Sequence, residues 1–409
     1  MNDGTTMIWS DDREPLPDVP GFDFIREIGQ GGFGRVWLAR NQTTRGLLAV
    51  KVIPFHSSGP RDPAGREISA LSVLEEIRRL HHPDLLCIHH VGETQTLDRR
   101  YLYYTMDLAD DVSDSSAPAD LAYQPATLKR RLDQGPLDPE HCLRCARQLL
   151  GGLAFLHEKG MVHRDVKPGN CLFVAGELKL ADFGLLTRSD RQLSRVGTLR
   201  YMPPDGRMDA RADVYAAGLV IYEMMTAWPA DSFPHLGEMA GKIAENPILA
   251  TLNRLALRAC YANRSQRFED ARKMLDSMEA WIRPGPTRRR AASVGLAALF
   301  VIGLGGFGIW LSQPSRVHVN FITEPYGARV LLDDKVLKDP TTGIECATPC
   351  SVPNLSAKPH HVVFQRDGSA DFDVGQIDFA TTREIIAQMQ SGADSEEPPG
   401  AIAAGDTQE

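Results

Sequence analysis

One uncharged stretch constrains this chain more than any other feature. Residues 291–311 form a run of 21 residues without a charged or amide side chain. As an α-helix rising about 1.5 Å per residue, the run is long enough to cross the roughly 30 Å hydrocarbon core of a bilayer. A buried helix of a large soluble domain is the alternative, but such helices are usually shorter. The run therefore predicts one transmembrane helix.

The charges beside this run predict its orientation. Four arginines precede it, at positions 283, 288, 289 and 290, whereas Arg316 is the only arginine or lysine among the first 15 residues after it. Basic residues next to a span favour the cytoplasmic side of the membrane. We therefore expect a single-pass membrane protein with its N-terminal part in the cytoplasm and its C-terminal part extracytoplasmic.

The composition predicts folded domains on both sides of the span. Of 409 residues, 43% are hydrophobic and 24% charged, which is typical of globular proteins. The formal net charge of -8 argues against nucleic acid as a partner. The predicted organisation is a disordered leader over 1–20, a large domain over 21–283, a basic juxtamembrane linker over 284–290, the helix over 291–311, a small β domain over 312–390 and a disordered acidic tail over 391–409.

A glycine pattern near the N-terminus indicates phosphate binding. Gly29, Gly31 and Gly34 are spaced as Gly-x-Gly-x-x-Gly. In a nicotinamide-dependent oxidoreductase, the last glycine would open a helix. Here residues 35–39 alternate between polar and apolar and residues 41–46 are typical of a turn, so a β-hairpin is favoured instead. The oxidoreductase interpretation therefore loses its structural context.

A lysine interrupts the next apolar strand. Residues 47–53 are apolar except for Lys51. A lysine in such a strand either extends its ammonium group to solvent or binds an anion, and this segment alone leaves both interpretations open.

Two further motifs decide between them. Residues 163–170 read His-Arg-Asp-Val-Lys-Pro-Gly-Asn, and residues 182–184 read Asp-Phe-Gly after a predicted strand over 177–181. With the glycines and Lys51, these motifs resemble the protein kinase family, in its bacterial eukaryotic-like Ser/Thr branch, over roughly residues 22–282. The resemblance implies an α+β, two-lobed kinase fold, followed here by the transmembrane helix and the small β domain.

The resemblance also implies roles for individual residues. The glycine loop would cover the phosphates of ATP, Lys51 would pair with the α- and β-phosphates, and Glu67 would pair with Lys51, with Glu75 and Glu76 as rivals. The catalytic base would be Asp165, Lys167 would stabilise the γ-phosphate, and Asn170 and Asp182 would hold Mg²⁺, for which Mn²⁺ is an alternative. The implied ATP-binding residues are Ile28, Gly29, Gly31, Gly32, Phe33, Gly34, Val36, Ala49, Lys51, Met106, Asp107, Ala109 and Leu172.

Residues after the Asp-Phe-Gly motif extend the resemblance. Thr198 lies where the Ser/Thr branch has a threonine that meets the catalytic aspartate, which favours Ser/Thr specificity. Asp205 replaces the family's glutamate and should still pair with Arg267, and Asp213 should anchor the catalytic loop. Arg164 could pair with a phosphate on one of the activation-segment hydroxyls, which are Thr187, Ser189, Ser194 and Thr198.

The residues beyond the span predict a β domain. Strands are predicted at 317–322, 328–332 and 361–365, with turns between them. Residues 323–328 read Thr-Glu-Pro-Tyr-Gly-Ala and resemble the PEGA domain, with Tyr326 in place of its usual glutamate. That resemblance implies an extracytoplasmic module with a cell-envelope ligand. On the oxidising side, Cys346 and Cys350 either form a disulfide or remain free.

Other metal-binding residue types have simpler interpretations. Cys142 and Cys145 are predicted to be buried helix positions, because a zinc or redox site would need a partner pair or a thioredoxin-like context. The histidines at 81, 82, 89 and 90 cluster in sequence, but His82 with the following proline fits a kinase linker, so metal binding is the less favoured interpretation of them.

The sequence thus predicts a membrane-anchored Ser/Thr protein kinase. Its partners would be ATP, proteins with Ser or Thr hydroxyls, the membrane through one helix, a cell-envelope ligand and a second copy of the chain. A catalytically inactive scaffold of the same fold is the alternative.

Overall fold

The computed structural model describes residues 17–31, 34–54, 82–96, 99–112, 122–183, 187–188, 199–282, 316–340, 343 and 345–389. The chain divides into two compact units. The small unit comprises residues 1–81 and 86–126. The second unit comprises residues 82–85 and 127–409, and within it we distinguish a helical region, residues 127–282, from a β domain, residues 316–389.

The small unit is built on a five-stranded antiparallel sheet with strand order β1-β2-β3-β5-β4. The hairpin predicted after the glycine pattern is confirmed, because β2 pairs with β3. A second hairpin pairs β1 with β2. The strands are β1 (Phe22–Gly31), β2 (Gly34–Asn41), β3 (Leu47–Pro54), β4 (Ile88–Gln95) and β5 (Arg100–Met106).

The apolar side of this sheet also takes in part of the predicted leader. Val19 is buried and packs with Val50, Tyr101 and Tyr103. The expectation of disorder over 1–20 therefore fails for residues 17–20, because a valine next to an uncovered sheet face is stabilised by burial. Residues 1–16 lie outside the described residues.

Helices dominate the helical region of the second unit. Asp138 caps the second helix by accepting a hydrogen bond from the His141 amide, with Pro139 at the first helical position. The third helix is buried along nearly its whole length, so it forms the centre of this region. The helices are α1 (Leu128–Leu132), α2 (Pro139–Glu158), α3 (Ala210–Thr226), α4 (Met239–Glu245), α5 (Pro247–Ala259) and α6 (Ala271–Ile282).

Short strands in this region hold the loop that carries the predicted catalytic residues. A tight hairpin joins the second of these strands to the third, and both of its central residues, Ala175 and Gly176, have positive φ, as in a type I′ turn. The predicted strand over 177–181 is confirmed. The strands are β6 (Met161–Val162), β7 (Cys171–Val174), β8 (Glu177–Leu180) and β9 (Thr187–Arg188).

The β domain contains a three-stranded and a four-stranded sheet, with orders β13-β10-β16 and β12-β11-β14-β15. Phe321, Phe364 and Phe379 are fully buried and belong to one hydrophobic core in this region. A disulfide joins Cys346 to Cys350. The strands are β10 (Arg316–Glu324), β11 (Arg329–Leu332), β12 (Lys335–Val336), β13 (Cys350–Ser356), β14 (Pro359–Gln365), β15 (Phe372–Asp378) and β16 (Glu384–Gln388).

The β domain contacts helix α5, which the sequence did not predict. Arg254 forms an ion pair with Asp339 at 2.8 Å, and the side-chain amide of Asn253 donates to Asn320 at 3.1 Å. Asn253, Arg254 and Asn320 are buried.

In the described part of the chain, no helix has the length and apolar character needed to span a bilayer. The predicted linker over 284–290, the predicted helix over 291–311 and the predicted tail over 391–409 lie outside the described residues.

Candidate active site

The loop between β6 and β7 gathers three of the predicted catalytic side chains. The Asp165 carboxylate accepts a hydrogen bond from Lys167 Nζ at 2.7 Å and another from Asn170 Nδ2 at 2.9 Å. Asn170 Nδ2 also donates to the main-chain oxygen of Asp165 at 2.8 Å. These contacts hold the carboxylate in one orientation. A group that is to accept a proton from a bound hydroxyl has to be held in this way.

A buried aspartate on helix α3 holds the start of this loop. Asp213 accepts hydrogen bonds from the main-chain amides of His163 at 2.7 Å and Arg164 at 2.8 Å, and it meets His157 Nε2 at 3.0 Å. Arg164 has a φ of 71°, in the left-handed region that costs a non-glycine residue energy. The hydrogen bonds to Asp213 compensate for that cost, and the predicted anchoring role is therefore confirmed.

The charge of Asp213 is held by the same contacts. Burial acts to raise the pKa of this carboxyl, but hydrogen bonds from His157 and from the Arg164 amide outweigh burial and keep the pKa below its ordinary value. The Ala271 amide donates to His157 Nδ1 at 3.1 Å, so the imidazole proton lies on Nε2 and points at Asp213. Asp213 is thus an ionised acceptor at neutral pH.

His163 has a linking role that the sequence did not suggest. Its Nδ1 accepts from the Asp165 amide at 3.3 Å, which places the ring proton on Nε2, and Nε2 lies 3.1 Å from the Ala181 oxygen. The ring is fully buried. His163 therefore joins the catalytic loop to the residue just before Asp182. The histidine in the quoted motif was the available signal, but Ala181, the partner that gives it the linking role, is distant in sequence.

Asn170 and Asp182 are the residues predicted to hold a metal ion. The Ala181 amide donates to the Asn170 main-chain oxygen at 2.8 Å, so the two segments are joined immediately beside Asp182. Because the Asn170 amide nitrogen is committed to Asp165, its side-chain oxygen is the atom this residue can offer to a cation. Asp182 has a φ of 65° and is half-buried. An amide oxygen and a carboxylate are ligands that fit Mg²⁺.

In the small unit, four of the predicted nucleotide-binding side chains share one face of the sheet. Lys51 lies opposite Val36, and Ala49 lies opposite Met106, and residues two apart on β3 face the same way. Lys51 is buried, with Nζ 5.7 Å from the centre of the Tyr104 ring. A buried ammonium group needs compensating interactions, and this ring can supply one of them.

The third glycine of the pattern is required for packing. A Cβ on Gly34 would lie 2.3 Å from the Val52 main-chain oxygen, whereas a Cβ on Gly29 would make an ordinary contact with Val36. The resemblance implies that all the glycines serve to let the main chain come close to the phosphates of ATP. For Gly34, the close passage of β2 over β3 is a sufficient reason.

The segment after β5 contains the predicted hinge. The Asp107 amide donates to the Cys87 oxygen at 3.1 Å, so that amide cannot also donate to a nucleobase. The Ala109 oxygen accepts from the Tyr123 hydroxyl at 2.9 Å, and Ala109 is buried. The backbone of this segment is therefore fixed on its protein side.

Other predicted residues take different positions. Ile28 in the small unit and Leu172 in the second unit are each half-buried. Gly31 ends β1, and Gly32, Phe33, Glu67 and Thr198 lie outside the described residues, as do Glu75 and Glu76. Of the four activation-segment hydroxyl residues, only the backbone of Thr187 is described.

Two predictions for the rest of the second unit are confirmed. Asp205 pairs with the buried Arg267 at 2.7 Å despite its shorter side chain. Cys142 and Cys145 are buried on helix α2, where burial raises the pKa of both thiols. Protonated, buried thiols are poor metal ligands and poor nucleophiles.

Comparison with known proteins agrees with this architecture. A family model described as "Protein kinase domain" matches residues 22–293, about two thirds of the chain. The chain therefore belongs to the protein kinase family.

Individual relatives are more distant. The serine/threonine-protein kinase PknB of Mycobacterium leprae is 28% identical over 296 residues, which cover 66% of this chain and 43% of the relative. Aurora kinase B-A of Xenopus laevis is 30% identical over 226 residues, covering 53% of this chain and 56% of the relative. Aurora kinase B of Mus musculus is 28% identical over 243 residues, covering 58% of this chain and 64% of the relative. Each match thus spans less than two thirds of the relative's length.

Proposed function

We propose that this chain is an ATP-dependent serine/threonine protein kinase, which transfers the γ-phosphoryl group of ATP to hydroxyls of proteins. The observation that carries the proposal is the Asp165 carboxylate, held at 2.7 Å by Lys167 and at 2.9 Å by Asn170 in a loop anchored by a buried aspartate. A scaffold that only bound partners would not need a carboxylate oriented in this way.

In the proposed reaction, Asp165 accepts the proton of the substrate hydroxyl. The hydroxyl oxygen forms a bond to the γ-phosphorus as the bond from that phosphorus to the β–γ bridging oxygen breaks, and ADP leaves. Lys167 offers positive charge to the transferred group, and Lys51 offers it to the α- and β-phosphates. Mg²⁺, or Mn²⁺ in its place, would neutralise phosphate charge beside Asn170 and Asp182.

The serine/threonine class rests on two supports. The PknB relative is named a serine/threonine-protein kinase, and Thr198 matches the residue type of that branch. Glu67 as the partner of Lys51 is part of the same proposal.

Phosphate transfer from labelled ATP to a generic protein substrate tests this function. We expect label on serine and threonine with the full-length chain and a loss of at least about 10²-fold in rate with Asp165→Asn, since the base is removed. Asp367→Asn is the matched control, because that side chain is 96% exposed in the β domain. Equal rates for Asp165→Asn and the control, or no transfer by the unmodified chain, would favour the inactive scaffold.

We further propose that the chain is anchored in a membrane through residues 291–311, with the kinase domain cytoplasmic and the β domain extracytoplasmic. The uncharged run and the arginines before it support this topology. Cysteine usage also supports it, because the five cysteines described in the kinase part are not in disulfides whereas Cys346 and Cys350 are bridged. A PEGA-like β domain would bind a cell-envelope ligand, and pairing of two anchored chains would be the simplest way for one helix to convey a signal.

The contact between Arg254 and Asp339 favours a second arrangement, in which both domains lie on one side of the membrane. For a single chain, this contact and the proposed crossing exclude each other. Protease added to intact cells stripped of their wall distinguishes the two. Loss of an epitope placed after residue 409 supports the crossing, whereas its protection until the cells are lysed supports the packed arrangement.

A further inference from the structure

Three side chains with metal-binding chemistry converge at the edge of the small unit. The Cys87 sulfur lies 3.9 Å from His89 Nδ1, and His89 Nε2 lies 3.0 Å from the Asp107 carboxylate. One ligand atom from each of the three residues can be chosen so that all of them lie within 4.8 Å of one another. From this geometry we infer that Cys87, His89 and Asp107 form a binding site for a divalent transition-metal ion of the Zn²⁺ type.

A β-bulge creates the convergence. In the pairing of β4 with β5, Ile88 lies opposite Met106 and His90 opposite Thr105, so the register shifts at His89. Bulges re-aim a side chain and commonly occur where a strand meets a functional segment. Here the bulge turns the His89 ring toward Asp107, the first residue after β5.

Main-chain hydrogen bonds hold two of the ligands together. The Asp107 amide donates to the Cys87 oxygen at 3.1 Å, and the Cys87 amide donates to the Asp107 carboxylate at 3.3 Å. This pairing holds the Cys87 main chain beside the Asp107 carboxylate, so two of the three ligand residues are already adjacent before an ion enters. The His89 side chain is 50% exposed, which gives it room to turn and gives an ion a path from solvent.

The donor set selects the class of ion. Thiolate, imidazole and carboxylate together suit Zn²⁺ and its neighbours, whereas Mg²⁺ and Ca²⁺ prefer oxygen ligands alone. In a tetrahedral zinc site with bonds of about 2.0–2.3 Å, neighbouring ligand atoms lie about 3.3–3.6 Å apart. Here the sulfur and the carboxylate lie near different nitrogens of the His89 ring, at 3.9 and 3.0 Å, so the ring has to turn for one nitrogen to bind the ion with both. Three protein ligands leave a fourth position for water. Binding releases the Cys87 thiol proton to solvent as the sulfur–metal bond forms, so affinity should rise with pH.

Cys87 is also the accessible thiol of this chain. All seven cysteines are described, two of them form the disulfide, and Cys142, Cys145, Cys171 and Cys260 are buried. Alkylation of the native chain should therefore report on Cys87. The measurement needs no nucleotide, so its outcome is independent of kinase activity.

The test is alkylation of the full-length chain by iodoacetamide with and without Zn²⁺, followed by peptide mass spectrometry. We expect Zn²⁺ to slow modification of Cys87 by at least about tenfold, because the metal-bound sulfur is blocked. His89→Ala should abolish this protection. His90→Ala should retain it, since His90 is exposed on the same strand but outside the cluster.

Calorimetric titration with Zn²⁺ in two buffers of different ionisation enthalpy gives a second readout. We expect one ion per chain, release of about one proton, and at least about tenfold weaker binding with Cys87→Ser. Any one of three results would overturn the metal site: unchanged alkylation with Zn²⁺, equal effects of His89→Ala and His90→Ala, or unaltered affinity with Cys87→Ser. The three residues would then form a hydrogen-bonded cluster only.

Discussion

Two histidine–aspartate pairs, one in the helical region and one in the β domain, have the same residue types and different consequences. His157 lies 3.0 Å from Asp213, and His360 lies 2.6 Å from Asp333. The Asp213 side chain is 1% exposed, whereas the Asp333 side chain is 52% exposed. In both, hydrogen bonding from the histidine lowers the pKa of the carboxyl against the opposing effect of burial.

The difference lies in what else each carboxylate holds. Asp213 accepts the amides of His163 and Arg164, at the start of the loop that carries the catalytic base. Asp333, in the turn after β11, accepts the amide of His361 on β14 in addition to its histidine, and no further main-chain donor to it is found among the described residues. A buried acceptor with several donors positions a site because each donor would be costly to leave unpaired, whereas water can replace an exposed acceptor.

Asp213→Ala should give the largest effect. Two buried amides and the His157 ring would lose their acceptor, so we expect a loss of about 3 kcal/mol or more in the free energy of unfolding and loss of phosphate transfer. Hydrogen exchange is the direct measurement, and protection of the His163 and Arg164 amides should fall. If these amides exchange at the unmodified rate, Asp213 does not anchor the loop.

A third histidine–aspartate pair sharpens the comparison, because the pKa of its carboxyl shifts in the opposite direction. Asp84 lies 3.8 Å from His82, and burial, with the nearby charge of Glu177, raises the pKa of Asp84 to about 6. Because the pKa of Asp84 is higher in the folded chain than in the unfolded chain, ionisation of this carboxyl lowers the free energy of unfolding. This loss of stability is absent below about pH 4 and complete above the folded pKa.

Asp84→Asn should therefore raise the midpoint of thermal unfolding by about 2 °C at pH 7 and by almost nothing at pH 4. Paired melts of variant and unmodified chain at the two pH values measure this difference. An equal shift at both pH values would show that packing, and not ionisation, distinguishes the two chains.

Asp333→Ala should have the smallest effect. Half-exposed pairs contribute little, so we expect a loss below about 1 kcal/mol, confined to the β domain. The rate of phosphate transfer should be unchanged. A loss of protection at the His163 and Arg164 amides in this variant would remove the distinction between the pairs.

The catalytic loop was predictable from sequence because its residues lie within eight positions of one another. Lys167 and Asn170 reach Asp165 as the motif indicates. The contacts of His163 and the packing role of Gly34 were not predictable, because both depend on segments brought together only in the fold.

The cluster around Cys87 was missed for a different reason. The histidines cluster by their closeness in sequence, whereas in the fold a bulge in β4 and the end of β5 bring His89 to Asp107. A bulge breaks the two-residue alternation on which strand predictions depend. The contact between helix α5 and the β domain was likewise unforeseen, because the sequence around Asn253 and Arg254 does not indicate which distant residues they pair with.

Uptake of Mg²⁺-ATP by the full-length chain, measured by calorimetry, tests the central claim most directly. We predict one nucleotide per chain and at least about tenfold weaker binding of the complex with Asp182→Asn, which removes a ligand charge, while Asp367→Asn binds as the unmodified chain does. Absence of binding by the unmodified chain, or identical affinities for all three, would contradict the account.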